Sequence, residues 1–117
     1  MQKIFYLKTC DTCKKILSQI AHIERFELRE IKSQPITEEE LEQLYDITKS
    51  YELLVNKRAQ LYKKLGLKEK KLTEKDYKKY LLEHYTFLSR PIIILENQIF
   101  VGNNKSVVEK MLRDVNQ

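Results

Sequence analysis

Two cysteines, Cys10 and Cys13, are the residues whose type and spacing most directly indicate chemistry in this sequence. A pair this close can form a structural disulfide, contribute to a zinc site or supply a reactive thiol. A disulfide closing so short a loop is not expected in a reducing compartment. A closed zinc site needs four ligands, and the two histidines, His22 and His84, lie far apart with no ligand-pair spacing. The pair therefore favours thiol chemistry, and no metal site is expected.

The cysteines lie between a predicted strand and a predicted helix. Residues 3–7 form a short apolar run that is typical of a buried strand. Apolar residues at helical spacing then predict a helix from about Cys13 to about His22. An imperfect alternation over residues 25–31 predicts a second strand. The first three elements are thus a βαβ unit with the cysteines at the start of its helix.

The start of a helix is a place where a thiolate is stabilised, because unpaired N–H groups and a partial positive charge lie there. A cysteine held in this way can have a pKa of about 3.5–7.5. Cys10 lies just ahead of the predicted helix, where its sulfur can meet the amides of Thr12 and Cys13. Lys14 and Lys15 are expected to add positive charge in the first turn. Cys10 is the predicted nucleophile, and the more buried Cys13 is the predicted resolving thiol.

The remaining sequence predicts helices followed by two more strands and a last helix. Capping signals and apolar spacing predict helical structure from about residue 37 to about residue 88. Continuous apolar runs separated by a turn predict a hairpin over residues 92–101. An amphipathic pattern ending near Val115 predicts the final helix.

The resulting order, β-α-β, helices, then β-β-α, is that of the thioredoxin and glutaredoxin folds. The predicted fold class is therefore α/β, with a mixed four-stranded sheet and an all-helical insertion. We expect one domain over residues 1–117, with a core over 1–35 and 88–117 and the insertion over about 36–87.

Arg90 and Pro91 provide a second signal, at the start of the predicted central strand. Proline cannot donate a hydrogen bond within a sheet, so its position here is unusual. A cis peptide bond suits such a position, and it would direct the backbone ahead of Pro91 toward an extended substrate.

Composition limits the class of protein without naming its substrate. Lysine and arginine number 22 against 17 acidic residues, a formal net charge of +5. This charge fits a solvated basic surface, and it equally fits an acidic partner or an anionic substrate. No apolar run approaches the roughly 20 residues of a membrane helix. The first residues carry no signal-peptide pattern, so a cytoplasmic location and no membrane partner are expected.

Three segments together resemble the ArsC/Spx family, which includes glutaredoxin-linked arsenate reductases and the Spx transcriptional regulators. The segments are FYLKTCDTCKK over residues 5–15, NKR over 56–58 and LSRPII over 88–93. The resemblance extends over nearly the whole chain, including the predicted helical insertion.

The resemblance implies a role for each matched residue. Cys10 matches the nucleophilic cysteine, and Arg90 matches an arginine that faces its sulfur and holds the thiolate and an anion. Arg58 falls near a second family arginine. We therefore expect Cys10, Cys13 and Arg90 to be catalytic, and we assign substrate binding to three residues: Arg58, Thr12 and Pro91.

The sequence also departs from the reductase pattern. Tyr6 stands where the reductases have a histidine, and Asn103 and Asn104 occupy the region of a further arginine ahead of the last helix. The oxyanion site is therefore expected to be depleted of the cationic side chains that the reductases have. Cys13 is unusual for these reductases, which resolve the cysteine adduct with external glutathione, and it matches the regulator pattern instead.

Three functional interpretations remain open, and the first is the leading one. In this leading interpretation, the protein would be an arsenate-reductase-like thiol–disulfide oxidoreductase acting on a small oxyanion or a disulfide. It would bind no cofactor, use glutathione as a co-substrate, and have glutaredoxin or thioredoxin as partner. Alternatively, it is an Spx-like redox-sensing regulator that binds the α subunit of RNA polymerase. A thiol protein with another partner is the remaining possibility.

Overall fold

Four short strands and five α-helices make up the secondary structure of the computed structural model, which describes residues 1–117. The strands are β1 (Gln2–Tyr6), β2 (Glu27–Glu30), β3 (Ile92–Leu95) and β4 (Gln98–Val101). The helices are α1 (Asp11–Leu17), α2 (Glu38–Thr48), α3 (Gln60–Lys64), α4 (Glu74–Glu83) and α5 (Lys105–Val115). Short 3₁₀ turns lie at Ile23–Arg25, Glu52–Leu54, Leu67–Glu69 and Tyr85–Phe87.

The strands form one mixed sheet in the order β2-β1-β3-β4. β1 pairs in parallel with β2, while β3 is antiparallel to both β1 and β4. In the register of the central pair, Ile4 lies opposite Ile93. The α/β fold class, the mixed four-stranded sheet and the order of elements predicted from the sequence are therefore confirmed.

The chain divides into two compact units. The sheet unit contains Met1–Gln34 and Arg90–Gln117, with all four strands, α1 and α5. The helical unit contains Pro35–Ser89, with α2, α3 and α4. In chain order, the helical unit lies between β2 and β3.

An apolar core joins the sheet of the sheet unit to its two helices. Ile4 and Ile93 contribute to it from the central strands, and both are almost fully buried. The other core residues are Ile16, Ile20, Phe26, Phe100, Met111 and Val115. Burying these side chains holds α1 and α5 on the sheet, because apolar burial is the main favourable term in folding.

Two capping boxes begin the longer helices of the helical unit. Thr37 accepts a hydrogen bond from the backbone of Glu40, whose carboxylate accepts one in return, and Thr73 and Asp76 do the same ahead of α4. Gly66 ends α3 with a left-handed φ of 65°, and its N–H donates to the Lys63 carbonyl at 3.0 Å. Local sequence signals thus predicted these boundaries correctly.

The extent of α1 differs from the prediction. The helix begins at Asp11 and ends at Leu17, several residues short of the expected end near His22. The Ser18 hydroxyl donates to the Lys15 carbonyl at 2.6 Å, and a turn continues to Ile20, which is still buried in the core. The helical spacing of apolar residues therefore continues beyond the end of the helix, because residues of the following turn also pack into the core. This is why the spacing predicted a longer helix.

The short helix also changes the expected position of two charges. Lys14 and Lys15 lie in the last turn of α1, and the acidic Asp11 lies in the first turn. The expectation that these lysines add positive charge in the first turn is therefore wrong.

Candidate active site

Cys10 occupies the N-cap position of α1, directly after the loop that follows β1. Its backbone is extended, with φ −93° and ψ 111°, and its N–H donates to the Leu7 carbonyl at 3.1 Å. Its carbonyl accepts the first helical hydrogen bond, from Lys14 at 3.1 Å. The loop after β1 and the helix thus fix the Cys10 backbone from both sides, with the side chain directed at the first turn.

The sulfur of Cys10 accepts hydrogen bonds from that first turn. The backbone N–H of Cys13 donates to the Cys10 Sγ at 3.4 Å, and the backbone of Thr12 contributes as well. Burial opposes ionisation of this half-buried thiol. The hydrogen bonds from Cys13 and Thr12 and the positive charge of Arg90 outweigh burial, so the pKa of Cys10 lies below its ordinary value.

Cys13 has the opposite electrostatic character. Its side chain is fully buried, and burial, with the hydrogen bond and charge of Cys10, raises the pKa of Cys13 to about 12. A backbone hydrogen bond from Leu7 and the charge of Arg90 offset only part of this. Both cysteines are free. At neutral pH, Cys13 is therefore a neutral thiol that donates to the more acidic Cys10.

Arg90 and Pro91 come to the site from the other end of the chain, where β3 begins. Their peptide bond is cis. The carbonyl of the buried Pro91 accepts a hydrogen bond from Gly102 at 2.9 Å, which ties this segment to the end of β4. The positive charge of Arg90 acts to lower the pKa of both Cys10 and Cys13, so Arg90 favours the thiolate form of each.

Glu30 holds the loop that carries Cys10, a role that the sequence analysis missed. It ends β2 opposite Tyr6, and its carboxylate accepts the backbone N–H of Lys8 at 2.9 Å. It also accepts the backbone N–H of Ser33 at 2.7 Å and the Ser33 hydroxyl at 2.8 Å. Burial opposes ionisation, but these hydrogen bonds lower the pKa of Glu30. The sequence contained a signal for this role. The predicted βαβ unit makes β1 and β2 parallel, and because parallel strands end at the same edge of a sheet, Glu30 at the end of β2 is expected beside the loop that follows β1.

The structure brings five of the six predicted site residues together in the sheet unit. These are Cys10, Thr12, Cys13, Arg90 and Pro91. Arg58 belongs to the helical unit, where it is exposed and its backbone N–H donates to the Asn56 side chain at 3.1 Å. Its role in substrate binding stays a prediction. The structure contains no group of three or more His, Cys, Asp or Glu side chains that could hold a metal ion.

The site thus combines a thiol at a helix N-cap, a second thiol one turn on and an arginine ahead of a cis-proline. The comparison with protein families agrees with this combination. Residues 5–111 match the ArsC family. The chain belongs to the ArsC family. The resemblance stated from the sequence is therefore confirmed.

Proteins of two kinds are similar in sequence to this chain. The chain is 29% identical over 120 residues to the global transcriptional regulator Spx of Enterococcus faecalis, covering 100% of this chain and 91% of the regulator. It is 26% identical to Spx of Bacillus subtilis, and the match covers 96% of this chain and 87% of that regulator. It is also 28% identical over 93 residues to an arsenate reductase of Escherichia coli, covering 78% and 66%.

Solved structures confirm the fold. An arsenate reductase from Vibrio cholerae superposes with a TM-score of 0.73 at 17% identity, covering 97% of this chain and 98% of the other. An arsenate reductase related protein from Brucella melitensis superposes with a TM-score of 0.69 at 19% identity, covering 93% and 92%. At these identities the likeness shows a thioredoxin-like ArsC fold and nothing about substrate.

The positions that depart from the reductase pattern have structural partners in this ArsC-family chain. Tyr6, at the end of β1, packs against the apolar core of the sheet unit. The Asn104 side chain caps α5, accepting from the Ser106 backbone at 3.0 Å and the Ser106 hydroxyl at 2.8 Å. The Asn104 side chain is therefore occupied by capping, and Asn103, which precedes it, is half-buried.

Replacing Arg90 should raise the pKa of Cys10, because the arginine charge favours the thiolate. We expect Arg90→Ala to shift the pH dependence of Cys10 alkylation to higher pH, and Arg90→Lys to shift it less because the charge is kept. The measurement is the iodoacetamide labelling rate against pH in the Cys13→Ser background. Lys15→Gln is the control, since Lys15 carries the same charge in α1 without contributing to the Cys10 pKa. An unchanged profile in Arg90→Ala would contradict the assignment.

Replacing Glu30 should loosen the loop that carries Cys10. We expect Glu30→Gln to lower the free energy of unfolding by about 1–2 kcal/mol at neutral pH, because hydrogen bonds to a carboxylate are lost. The folded pKa of Glu30 is lowered, so this stabilisation is complete above the unfolded value of about 4.3. It is lost as pH falls through the folded pKa.

Urea unfolding of wild type and Glu30→Gln at neutral and acidic pH measures this effect. Glu109→Gln, which changes an exposed carboxylate of α5, is the matched control. A constant difference between wild type and Glu30→Gln at all pH values would show that the carboxylate charge plays no part.

Proposed function

We propose that this protein is a thiol–disulfide oxidoreductase of the arsenate-reductase-like kind, with Cys10 as nucleophile and Cys13 as resolving thiol. The observation that carries the proposal is the geometry of the two thiols: the half-buried Cys10 sulfur accepts the Cys13 backbone N–H at 3.4 Å, while Cys13 is fully buried. This geometry lowers the pKa of Cys10 and raises the pKa of Cys13. The thiolate is the reactive form of cysteine, so this difference supports the attacking role proposed for Cys10.

Thiol–disulfide exchange begins when the Cys10 thiolate attacks one sulfur of a disulfide substrate. A bond forms between that sulfur and Cys10, the substrate S–S bond breaks, and the other substrate sulfur leaves as a thiolate. Cys13 then loses its proton and attacks the Cys10 sulfur. The second substrate sulfur leaves with the bonding electrons, so the substrate is reduced by two electrons and a Cys10–Cys13 disulfide forms.

The first step lowers the barrier to the second. In the mixed disulfide, Cys10 carries no charge and no longer accepts a hydrogen bond from Cys13 as a thiolate. Two of the causes that raise the pKa of Cys13 therefore disappear, while Arg90 still favours its ionisation. Burial, the largest cause, remains, so ionisation of Cys13 is still opposed in the mixed disulfide, but by fewer effects than before the adduct forms.

With an oxyanion substrate, the Cys10 thiolate would attack the central atom, and an oxygen would leave as water after protonation. Attack on the Cys10 sulfur by Cys13 or glutathione would then pass two electrons to the oxyanion and release it in reduced form. Both reactants are negative, so cationic donors must offset their repulsion. Arg90 supplies one such donor, and Arg58 is proposed as a second. An external thiol, from glutathione with glutaredoxin or from thioredoxin, would restore the dithiol.

An Spx-like redox-sensing regulator is the second candidate, and two observations favour it. Relatives that match over 96% or more of this chain are named global transcriptional regulator Spx. Cys13 supplies the second thiol of the regulator pattern. In this function the same disulfide would act as a sensor, and the partner would be the α subunit of RNA polymerase.

Both functions require a reversible Cys10–Cys13 disulfide. We expect wild type to form one with a potential of about −270 to −120 mV, the range of thioredoxin-like proteins. Cys13→Ser should accumulate a mixed disulfide with oxidised glutathione at Cys10, because no internal thiol releases it, and Cys10→Ser should form neither product. The measurement is a glutathione redox titration followed by mass spectrometry. Failure of wild type to form the internal bridge would remove the resolving role of Cys13.

Arsenate turnover distinguishes the two candidates. Turnover with glutathione and glutaredoxin should be weak, because the cation ahead of α5 is missing, and Asn103→Arg should increase kcat/KM. Arg90→Ala should decrease kcat/KM by about 10²–10³-fold, the typical cost of one preorganised donor. Arg90→Lys should also decrease kcat/KM, because an ammonium cannot form two parallel hydrogen bonds.

Arg113→Ala, in an exposed arginine of α5, is the control for these variants. A parallel pull-down with the RNA polymerase α subunit tests the regulator. Binding of the subunit without turnover of arsenate or a disulfide would favour the regulator over the enzyme.

A further inference from the structure

The helical unit contains a cavity of about 460 Å³ that the thiol chemistry does not use. Its inner surface includes Tyr62, Leu67 and Tyr77, which are all at least nine-tenths buried. These side chains come from α3, the following 3₁₀ turn and α4. Because their positions are fixed by packing, the apolar part of the cavity is formed before any ligand arrives.

Four lysines complete the lining, and no acidic side chain is among the lining residues. They are Lys57, Lys63, Lys68 and Lys70. Gly66, whose left-handed φ of 65° suits glycine, lies between α3 and the next turn, and Lys63 and Lys68 on either side of it both line the cavity.

One of the four lysines is held by an ion pair. Lys57 donates to the Glu52 carboxylate, which also accepts a hydrogen bond from the Tyr77 hydroxyl. The Lys57 ammonium also lies 5.9 Å from the centre of the Tyr77 ring. Lys63, Lys68 and Lys70 form no ion pair in the structure, so three cations at the cavity have no protein anion to neutralise them.

We propose that this cavity binds a phosphorylated small molecule that also carries an aromatic or other apolar group, as a nucleotide does. The lysines match the phosphates, since lysine binds phosphate as a point charge. The tyrosines and the leucine match the apolar group. The cavity volume lies within the range of about 300–1,000 Å³ typical of small-molecule sites.

A small molecule suits this surface better than a nucleic acid duplex. The lysines surround a concave site with a fixed apolar interior, whereas a surface that follows a phosphate backbone presents its cations along a stripe. The proposal is independent of the thiol chemistry, because every residue that it uses lies in the helical unit.

ATP is the probe, with tripolyphosphate and adenosine as its two separated halves. In ¹⁵N-labelled protein we expect ATP to shift amide resonances over residues 57–77, and calorimetry to rank ATP above tripolyphosphate and adenosine. Rising salt should weaken ATP binding, because exposed charges are screened. No shift at low-millimolar ATP, shifts mainly elsewhere, equal binding of tripolyphosphate, or stronger binding of a DNA duplex would each overturn the proposal.

Matched variants separate this site from the general basic charge of the protein. Lys63→Gln with Lys68→Gln should weaken ATP binding about tenfold, since each exposed charge contact contributes a few-fold. The control, Lys64→Gln with Lys71→Gln, removes the same charge from lysines that do not line the cavity, and it should leave the affinity unchanged. An equal loss in both double variants would overturn the proposal.

A variant that is expected to bind ATP more tightly provides a test that misfolding cannot mimic, because misfolding would only reduce binding. Glu52→Gln removes the negative charge that neutralises Lys57, so it should bind ATP several-fold more tightly. Unchanged or weaker binding in Glu52→Gln would contradict a role for Lys57 in the site. Cys10→Ser should bind ATP as wild type does, which keeps this result separate from the outcome for the thiol function.

Discussion

The hydrogen bond from the Cys13 backbone N–H to the Cys10 sulfur, at 3.4 Å, is the interaction on which the candidate active site depends. It exists only because α1 begins immediately after Cys10, where the first-turn N–H groups have no helical partners. The helix is short, so individual N–H groups and Arg90, rather than a long helix dipole, stabilise the thiolate. Burial of Ile16 in the core holds α1 in the position that this bond requires.

Two cysteines one helical turn apart therefore have opposite chemistry. Cys10 is half-buried and accepts hydrogen bonds, whereas Cys13 is fully buried and its thiol stays protonated. Because burial penalises the charged form, the same spacing that brings the sulfurs together also separates their pKa values. In the proposed function, this difference sets the direction of reaction, with attack by the outer thiol and release by the inner one.

The relatives of this chain include arsenate reductases and Spx regulators, and the chain combines features that resemble each of these two kinds. It keeps the arginine ahead of the cis-proline, as the reductase resemblance requires, and it has the second cysteine of the regulator pattern. Where the reductases carry more polar or charged groups, Tyr6 packs into the core and Asn104 caps a helix. These two side chains serve the stability of the fold and carry no charge.

Local patterns in the sequence determined much of this structure. Strand periodicity, the capping signals at Thr37 and Thr73 and the position of Cys10 ahead of a helix all depend on residues within a few positions of one another. The early end of α1, the link from Glu30 to the Cys10 loop and the lysine-lined cavity were decided by tertiary structure. Arg90 was expected from family resemblance, not from any periodicity. Its effect on Cys10 depends on β3 pairing with β1, and such long-range pairing leaves no local signal in the sequence.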